Sequence, residues 1–394
     1  MRIHLISALV IGFCILIEMP VEGQKKFSVE KIINNMDSLR IARMETGRGM
    51  LTPFIAPGYT PEMKFLMTVG GLYTFKTQKD NPRLERSSIP FTFSYSTNKS
   101  LNVIVKLVMY GQEDKYRILS EYYFKDMPDH YWGVGYSNGK KINKSDSTTL
   151  YHRNLNKLNI KVLHRIGSIF FGGLFFDLTR NNARELNPVM ESDPYILEYG
   201  SNVYSTGIGG ILQYDTRDHI VNAYRGNLVD LGVTYYGHIL GGQNEFWVLE
   251  LDYRGYIPVT QVNNRTALAW EAKFRTTWGS TPWTDLSLLG NPYDLRGYYW
   301  GRFRDRSMIF GLLEYRQMFN RKKPNLRGNL ESRHGFVTWA GMGSIGEKLN
   351  DLRYWLPNAG IGYRFEVQPR FNIRVDFGIG LESKGFYFNF GEGF

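Results

Sequence analysis

Near its C-terminus the chain reads Phe371-Asn372-Ile373-Arg374-Val375-Asp376-Phe377-Gly378-Ile379-Gly380-Leu381-Glu382. Every odd position is apolar and every even position is polar, charged or Gly. Successive side chains of a strand point to opposite faces, so this is a strand with one wholly apolar face. The same period recurs upstream. Val229, Leu231, Val233, Tyr235 and Ile239 oppose Asp230, Thr234, Tyr236 and His238. Trp247, Leu249, Leu251, Tyr253 and Ile257 oppose Glu250, Asp252 and Arg254. Leu268, Trp270, Ala272, Phe274 and Trp278 oppose Glu271, Lys273 and Arg275. These runs exceed the roughly 5–6 residues of an ordinary strand. They match the about 9–11 residues a strand needs to cross a bilayer core.

Composition narrows the class. A soluble chain of 394 residues would divide into domains of roughly 100–200 residues, yet from Gly47 onward no linker, low-complexity tract or long helical pattern occurs. The 15% aromatic content excludes disorder. A single Cys excludes a disulfide framework and a Cys-built zinc site. No run of about 18 apolar residues is present, which excludes a helical membrane protein. The mean hydropathy of -0.32 is what alternation produces when apolar and polar faces average out. The fold class expected is therefore all-β: a transmembrane antiparallel β-barrel over residues 47–394, of about sixteen strands. Only a closed barrel satisfies every backbone group of a sheet in hydrocarbon.

The start of the chain reads as a secretory signal peptide over residues 1–23. Arg2 is the basic n-region, Leu5–Ile17 the apolar core, and Val21 and Gly23 the small residues before a cut at Gln24. Cys14 leaves with it; Phe13, just before it, is too bulky for a lipoprotein signal. Residues 24–46 read as a short periplasmic segment in which Ile32, Ile33, Met36, Leu39 and Ile41 line one side of a possible helix. The net charge of +11 would suggest nucleic acid in a cytosolic protein. Export removes that partner and leaves anionic lipid or a cationic lumen. In the last strand, Phe386, Phe388, Phe390 and Phe394 share one face. This alternating aromatic end resembles the sorting signal of outer-membrane barrels and implies that the chain is itself a client of the barrel assembly machinery.

Two motifs carry a family resemblance. One is Tyr214-Asp215-Thr216-Arg217-Asp218 with Tyr224-Arg225-Gly226, a charged turn between two long strands. The other is Leu295-Arg296-Gly297-Tyr298, inside the long segment Trp283–Arg306. Loops beyond roughly 12–15 residues are usually functional or disordered, and this one is dense in aromatics, Gly and Arg. In this order, the motifs resemble the BamA/TamA superfamily of outer-membrane assembly barrels, the bacterial surface-antigen type. The resemblance covers residues 50–394, with Tyr59-Thr60-Pro61-Glu62 similar to the run into the first strands. It implies that Arg296 sits on a sixth extracellular loop folded into the lumen, with Glu314 of Leu312-Leu313-Glu314-Tyr315-Arg316 as its inward partner. It also implies that Asp215, Arg217, Asp218 and Gly226 form the mid-barrel turn. Five strands follow the loop in this sequence, at about 307–320, 333–344, 357–367, 371–382 and 385–394, as many as follow it in a sixteen-stranded family barrel.

Two departures stand out. Residues 24–46 are too few for even one of the soluble POTRA domains of family assembly factors. The strand after Glu314 usually carries an inward acid, and Phe336-Val337-Thr338-Trp339-Ala340-Gly341 has none. The function implied is assistance to insertion, translocation or assembly of outer-membrane components in a Gram-negative bacterium. Partners would be outer-membrane lipid and other assembly proteins or lipoproteins. The alternative is a passive anion-favouring channel or a structural barrel. No cofactor or metal is called for, and catalysis has little support. The seven His are scattered, and no His-Glu-x-x-His pair occurs.

Overall fold

The computed structural model describes residues 46–394 apart from 61–62, 82–83, 260–262, 321–330 and 382. The leader expected at 1–23 and the segment expected at 24–46, its last residue excepted, lie outside the described residues. The strands are β1 (Met50–Thr60), β2 (Lys64–Phe75), β3 (Ser87–Ser96), β4 (Leu101–Gly111), β5 (Tyr116–His130), β6 (Leu150–Arg165), β7 (Phe170–Arg184), β8 (Asn202–Asp215), β9 (Gly226–Tyr236), β10 (Phe246–Pro258), β11 (Thr266–Gly279), β12 (Ser287–Leu289), β13 (Phe303–Asp305), β14 (Ser307–Asn320), β15 (Glu331–Gly346), β16 (Leu356–Gln368), β17 (Phe371–Gly380) and β18 (Lys384–Phe390). Sixteen of them form one sheet in sequence order, with β11 pairing β14. The hairpin β12–β13 stands apart, within the connection between β11 and β14. Short helices α1 (Tyr136–Lys141), α2 (Pro188–Ser192) and α3 (Pro194–Tyr199) lie in two further connections of the same end.

The sheet is inside out relative to a soluble protein. On β17, Arg374 and Asp376 are 0% exposed, whereas Val375 and Ile379 are 41% and 52% exposed. Phe65, Leu174, Leu212, Trp247, Trp278 and Phe386 are likewise exposed on other strands. An apolar surface of this extent is stable only against lipid. The interior half bounded by β10–β11 and β14–β16 is packed as a core. Leu289, Leu295, Tyr298 and Phe303 of the β11–β14 connection fill it against Met308, Phe310, Leu312, Val337 and Leu356.

Strands β1 and β18 end the sheet order, and no ladder joins them among the described residues. The two edges nonetheless meet. The Phe54 and Phe388 rings lie 6.1 Å apart. At the turn end, the buried Gln368 spans from β16 to the first hairpin. Its Nε2 donates to Thr52 Oγ1 (2.8 Å) and to the Leu72 carbonyl (3.2 Å), and its Oε1 accepts from Thr74 Oγ1 (2.7 Å). Gln368→Leu strips these bonds and leaves buried partners unmet, at a cost of about 1–3 kcal/mol. The loss should be local: faster amide exchange on β1 with the β5–β7 amides unchanged. Unchanged exchange on β1 would contradict this role.

Candidate functional site

The connection between β11 and β14, residues 280–306, is the sixth on its end of the barrel, and its tip is built around one carboxylate. Asp294 Oδ1 accepts from the backbone N–H of Gly290 (3.0 Å) and Asn291 (2.7 Å), and also from that of Leu295. Burial pushes this carboxyl up to about 6, against the backbone N–H groups, which favour its charged form. The knot aims the next residues at the barrel wall. Gly297 has φ of 110°, and a Cβ there would lie 2.5 Å from the Gly380 nitrogen on β17. Both the left-handed backbone and the close approach require glycine. Gly378 and Gly380 supply the trough that receives the tip.

Arg296 is fully buried in this trough. Its Nη1 donates to Asp376 Oδ2 on β17 (2.9 Å), its Nη2 donates to Glu314 on β14, and its guanidinium lies 3.7 Å over the Trp339 ring. Glu314 also accepts from Arg316 Nε (2.7 Å) and from Arg374 Nη1 (3.3 Å). Arg374 bonds Asp376 (2.9 Å) and Glu392 (3.3 Å), and Glu392 accepts from Arg364 (2.7 Å). Four guanidiniums and three carboxylates thus form one buried network, each side chain at most 1% exposed. Charges taken out of water are costly unless every one is paired, so each member holds the others in place.

The tip is also tied to the last strand. Gly297 N–H donates to Tyr387 Oη on β18 (2.8 Å), Tyr387 Oη donates to the Tyr298 carbonyl (3.3 Å), and Ser383 Oγ bonds the Gly297 carbonyl. Tyr298 Oη donates to the Pro357 carbonyl on β16 (2.8 Å). Tyr387→Phe removes the phenolic link alone, costs about 1 kcal/mol, and is expected to raise protease cleavage between residues 290 and 302. Cleavage at the wild-type rate would mean that β18 does not hold the loop. From the opposite wall the loop is held by cations over rings. Lys125 of β5 sits 3.9 Å from Trp300, Lys144 4.3 Å from Tyr299, and Lys106 of β4 5.1 Å from Tyr293. The loop is a strut across the lumen.

The other motif closes the turn end. Residues 216–225 fold inward instead of forming a tight solvated turn. Asp215 accepts from Arg117 Nη1 (2.7 Å) and from Arg217 Nε (2.9 Å). Asp218 Oδ1 accepts from the Tyr224 N–H (2.9 Å), and its Oδ2 from Arg370 beyond β16 (3.0 Å). Gly226 (φ 98°) is required where the segment rejoins β9, since a Cβ would lie 2.2 Å from the Thr216 carbonyl oxygen.

An Omp85 superfamily domain matches residues 86–394. The chain belongs to the Omp85 superfamily. Its fold is similar to that of BamA from Haemophilus ducreyi lacking POTRA domains 1–3, with a TM-score of 0.52 at 12% identity over 95% of this chain and 80% of that one. It is also similar to CdiB from Escherichia coli, with a TM-score of 0.54 at 11% identity over 87% of this chain and 62% of that one. The Omp85 chain thus spans less than two thirds of CdiB, and at these identities the likeness shows the fold alone. Among curated proteins, none matches in sequence.

Within this Omp85 barrel, Leu295, Arg296, Gly297, Tyr298 and Glu314 are brought to one place, and Asp215, Arg217, Asp218 and Gly226 to another. Two expectations are corrected. The acid missing from the strand after Glu314 is supplied two strands later by Asp376, and Trp339, opposite Glu314 in the β14–β15 pairing, places its ring under the guanidinium. Phe394 does not share a face with Phe386 and Phe388. β18 stops at Phe390, whose side chain lies outside the described residues. The chain then turns at Gly391 (φ 93°), and Phe394 is buried in the lumen with its ring 4.4 Å from Arg316. Glu392 draws the tail inward by its bonds to Arg364 and Arg374. The readings from sequence missed Asp376, Arg364, Arg374, Glu392 and Tyr387. Inward parity on β17 marked Asp376 and Arg374 as lumen residues, but no sequence signal paired them with Arg296.

Proposed function

We propose that this Omp85 barrel sits in the outer membrane of a Gram-negative bacterium. There it assists insertion, translocation or assembly of outer-membrane components without catalysis, with loops outward and turns towards the periplasm. The observation that carries this reading is the seam. β1 and β18 face each other without a ladder among the described residues, and the sixth loop grips β18 through Tyr387 and the residue before the strand, Ser383. A seam held by a few side chains opens towards lipid at lower cost than any paired strand, and releasing the loop loosens one of its edges. Lipid and other outer-membrane assembly proteins or lipoproteins are the partners this reading requires.

A passive anion-favouring channel fits less well. The strut, the inward turn and the tail occupy the interior, and many lumen cations are paired, among them Lys157 with Asp177 and Lys161 with Asp230. A reversible disulfide joining β1 to β18 tests the reading in cells. Loss of the assembly phenotype that returns on reduction supports it, and full function with the seam locked refutes it. A steady anion-selective pore in the wild-type protein would favour the channel.

A further inference from the structure

A second built feature lies at the turn-end foot of the seam, outside the Arg296 network. A cavity of about 50 Å³ is lined there by Met50, Thr74, Arg86, Ser88, His219 and Arg370, among others. That exceeds the roughly 10–15 Å³ that one water requires. Two donors in its wall are unmet among the described residues. Ser88 is 3% exposed and its Oγ has no partner, and Arg86 Nη1 is buried with none. The other guanidinium nitrogens of Arg86 bond only neutral oxygens: Thr74 Oγ1 (3.2 Å), the Thr74 carbonyl (3.0 Å) and the Arg48 carbonyl (2.6 Å).

The nearby acids are engaged elsewhere. Glu85 accepts from Tyr110 Oη (2.9 Å), with its Oε2 also 3.6 Å from His219 Nε2, and Asp218 accepts from Arg370 Nη2 (3.0 Å). Burial without a counter-charge pulls the Arg86 guanidinium below its ordinary value. His219 is held down to about 3, by burial first and then by the Arg370 charge, so its ring is neutral. With Nδ1 accepting from the Val221 N–H (3.2 Å), its Nε2 carries the proton and faces Glu85 Oε2 at 3.6 Å.

A cavity with an uncompensated guanidinium, a free hydroxyl and a second Arg in its wall has the donor set of an oxyanion site. We propose that it binds a phosphate group, either free phosphate or that of a lipid headgroup, held by Arg86 and Ser88. Arg86 precedes β3 and Arg370 follows β16, so the bound anion lies between the two sides of the seam's foot, beside the Gln368 bridge. The site does not depend on the assembly role.

The test is thermal unfolding of the full chain in detergent, titrated with sodium phosphate against sodium chloride at matched ionic strength. A parallel titration uses a short-chain phosphatidylglycerol. The expected result is a saturable rise in Tm, as ligand linkage requires, that is lost in Arg86→Met and shifted to higher ligand concentration in Ser88→Ala. A rise with phosphate assigns the free ion, and a rise with the lipid alone assigns the headgroup. No saturable rise with either, or a rise undiminished in both variants, overturns the proposal. Should Arg86→Met not fold, Ser88→Ala and Arg86→Lys decide it. A wild-type titration curve in both overturns it, and a weakened one supports it.

Discussion

Glu314→Gln is expected to destabilise the barrel more than any other single change in the lumen, Arg296→Ala included. Glu314 is the carboxylate shared by Arg296, Arg316 and Arg374. Its loss leaves four guanidiniums to Asp376 and Glu392, all within a buried network. Removing one partner of a buried ion pair typically costs about 3–5 kcal/mol, because the remaining charge is stranded. Arg296→Ala is milder by the same logic. It leaves three guanidiniums and three carboxylates, with Glu314 still held by Arg316 and Arg374 and Asp376 still held by Arg374. Unfolding in detergent, followed by the heat-dependent gel shift of a folded barrel, ranks the two. The reverse order, with Arg296→Ala the more damaging, would show that the network is organised around the loop and not around the wall.

Gly297→Ala is expected to free the sixth loop while leaving the sheet intact. The left-handed backbone costs an L residue about 1–2 kcal/mol. The added methyl would also lie 2.5 Å from backbone atoms of Ile379 and Gly380. Those atoms cannot retreat, because β17 is hydrogen-bonded to β16 and β18 on its two sides. The tip must leave instead and take Arg296 and Tyr298 with it. Two measurements follow: rapid protease cleavage between residues 290 and 302, and stepwise conductance through a lumen that the wild-type loop blocks. A variant as protease-resistant and as closed as the wild type would show that the trough yields, and that the loop is not held by fit.

How much was legible beforehand differs between sheet and site. Period-two alternation placed the strands well: the strand expected at 307–320 is β14, and the one expected at 371–382 is β17 to within two residues. The last strand failed for a local reason. Gly391 turns the chain inward, and parity cannot be carried through a left-handed residue. The site was half legible. Arg296 and Glu314 carried a motif, so their meeting could be stated in advance. Asp376 carried none, and the strand nearest Glu314 in sequence offered a Trp where an acid was sought.

The sequence by itself determined that this chain is a membrane-type sheet, which residues of its regular strands face inward, and which loop is too long and too rich in Arg and Gly to be a simple turn. Those are consequences of alternation and local composition, both one-dimensional. Only the tertiary structure decided which inward residues meet. Closing the sheet brings β14, β17 and the tail after β18 around one point, and the curvature that does so is a property of the whole barrel. The Arg296 network, the inward Phe394 and the Gln368 bridge all depend on that curvature. Each joins residues whose separation in sequence says nothing about their separation in space.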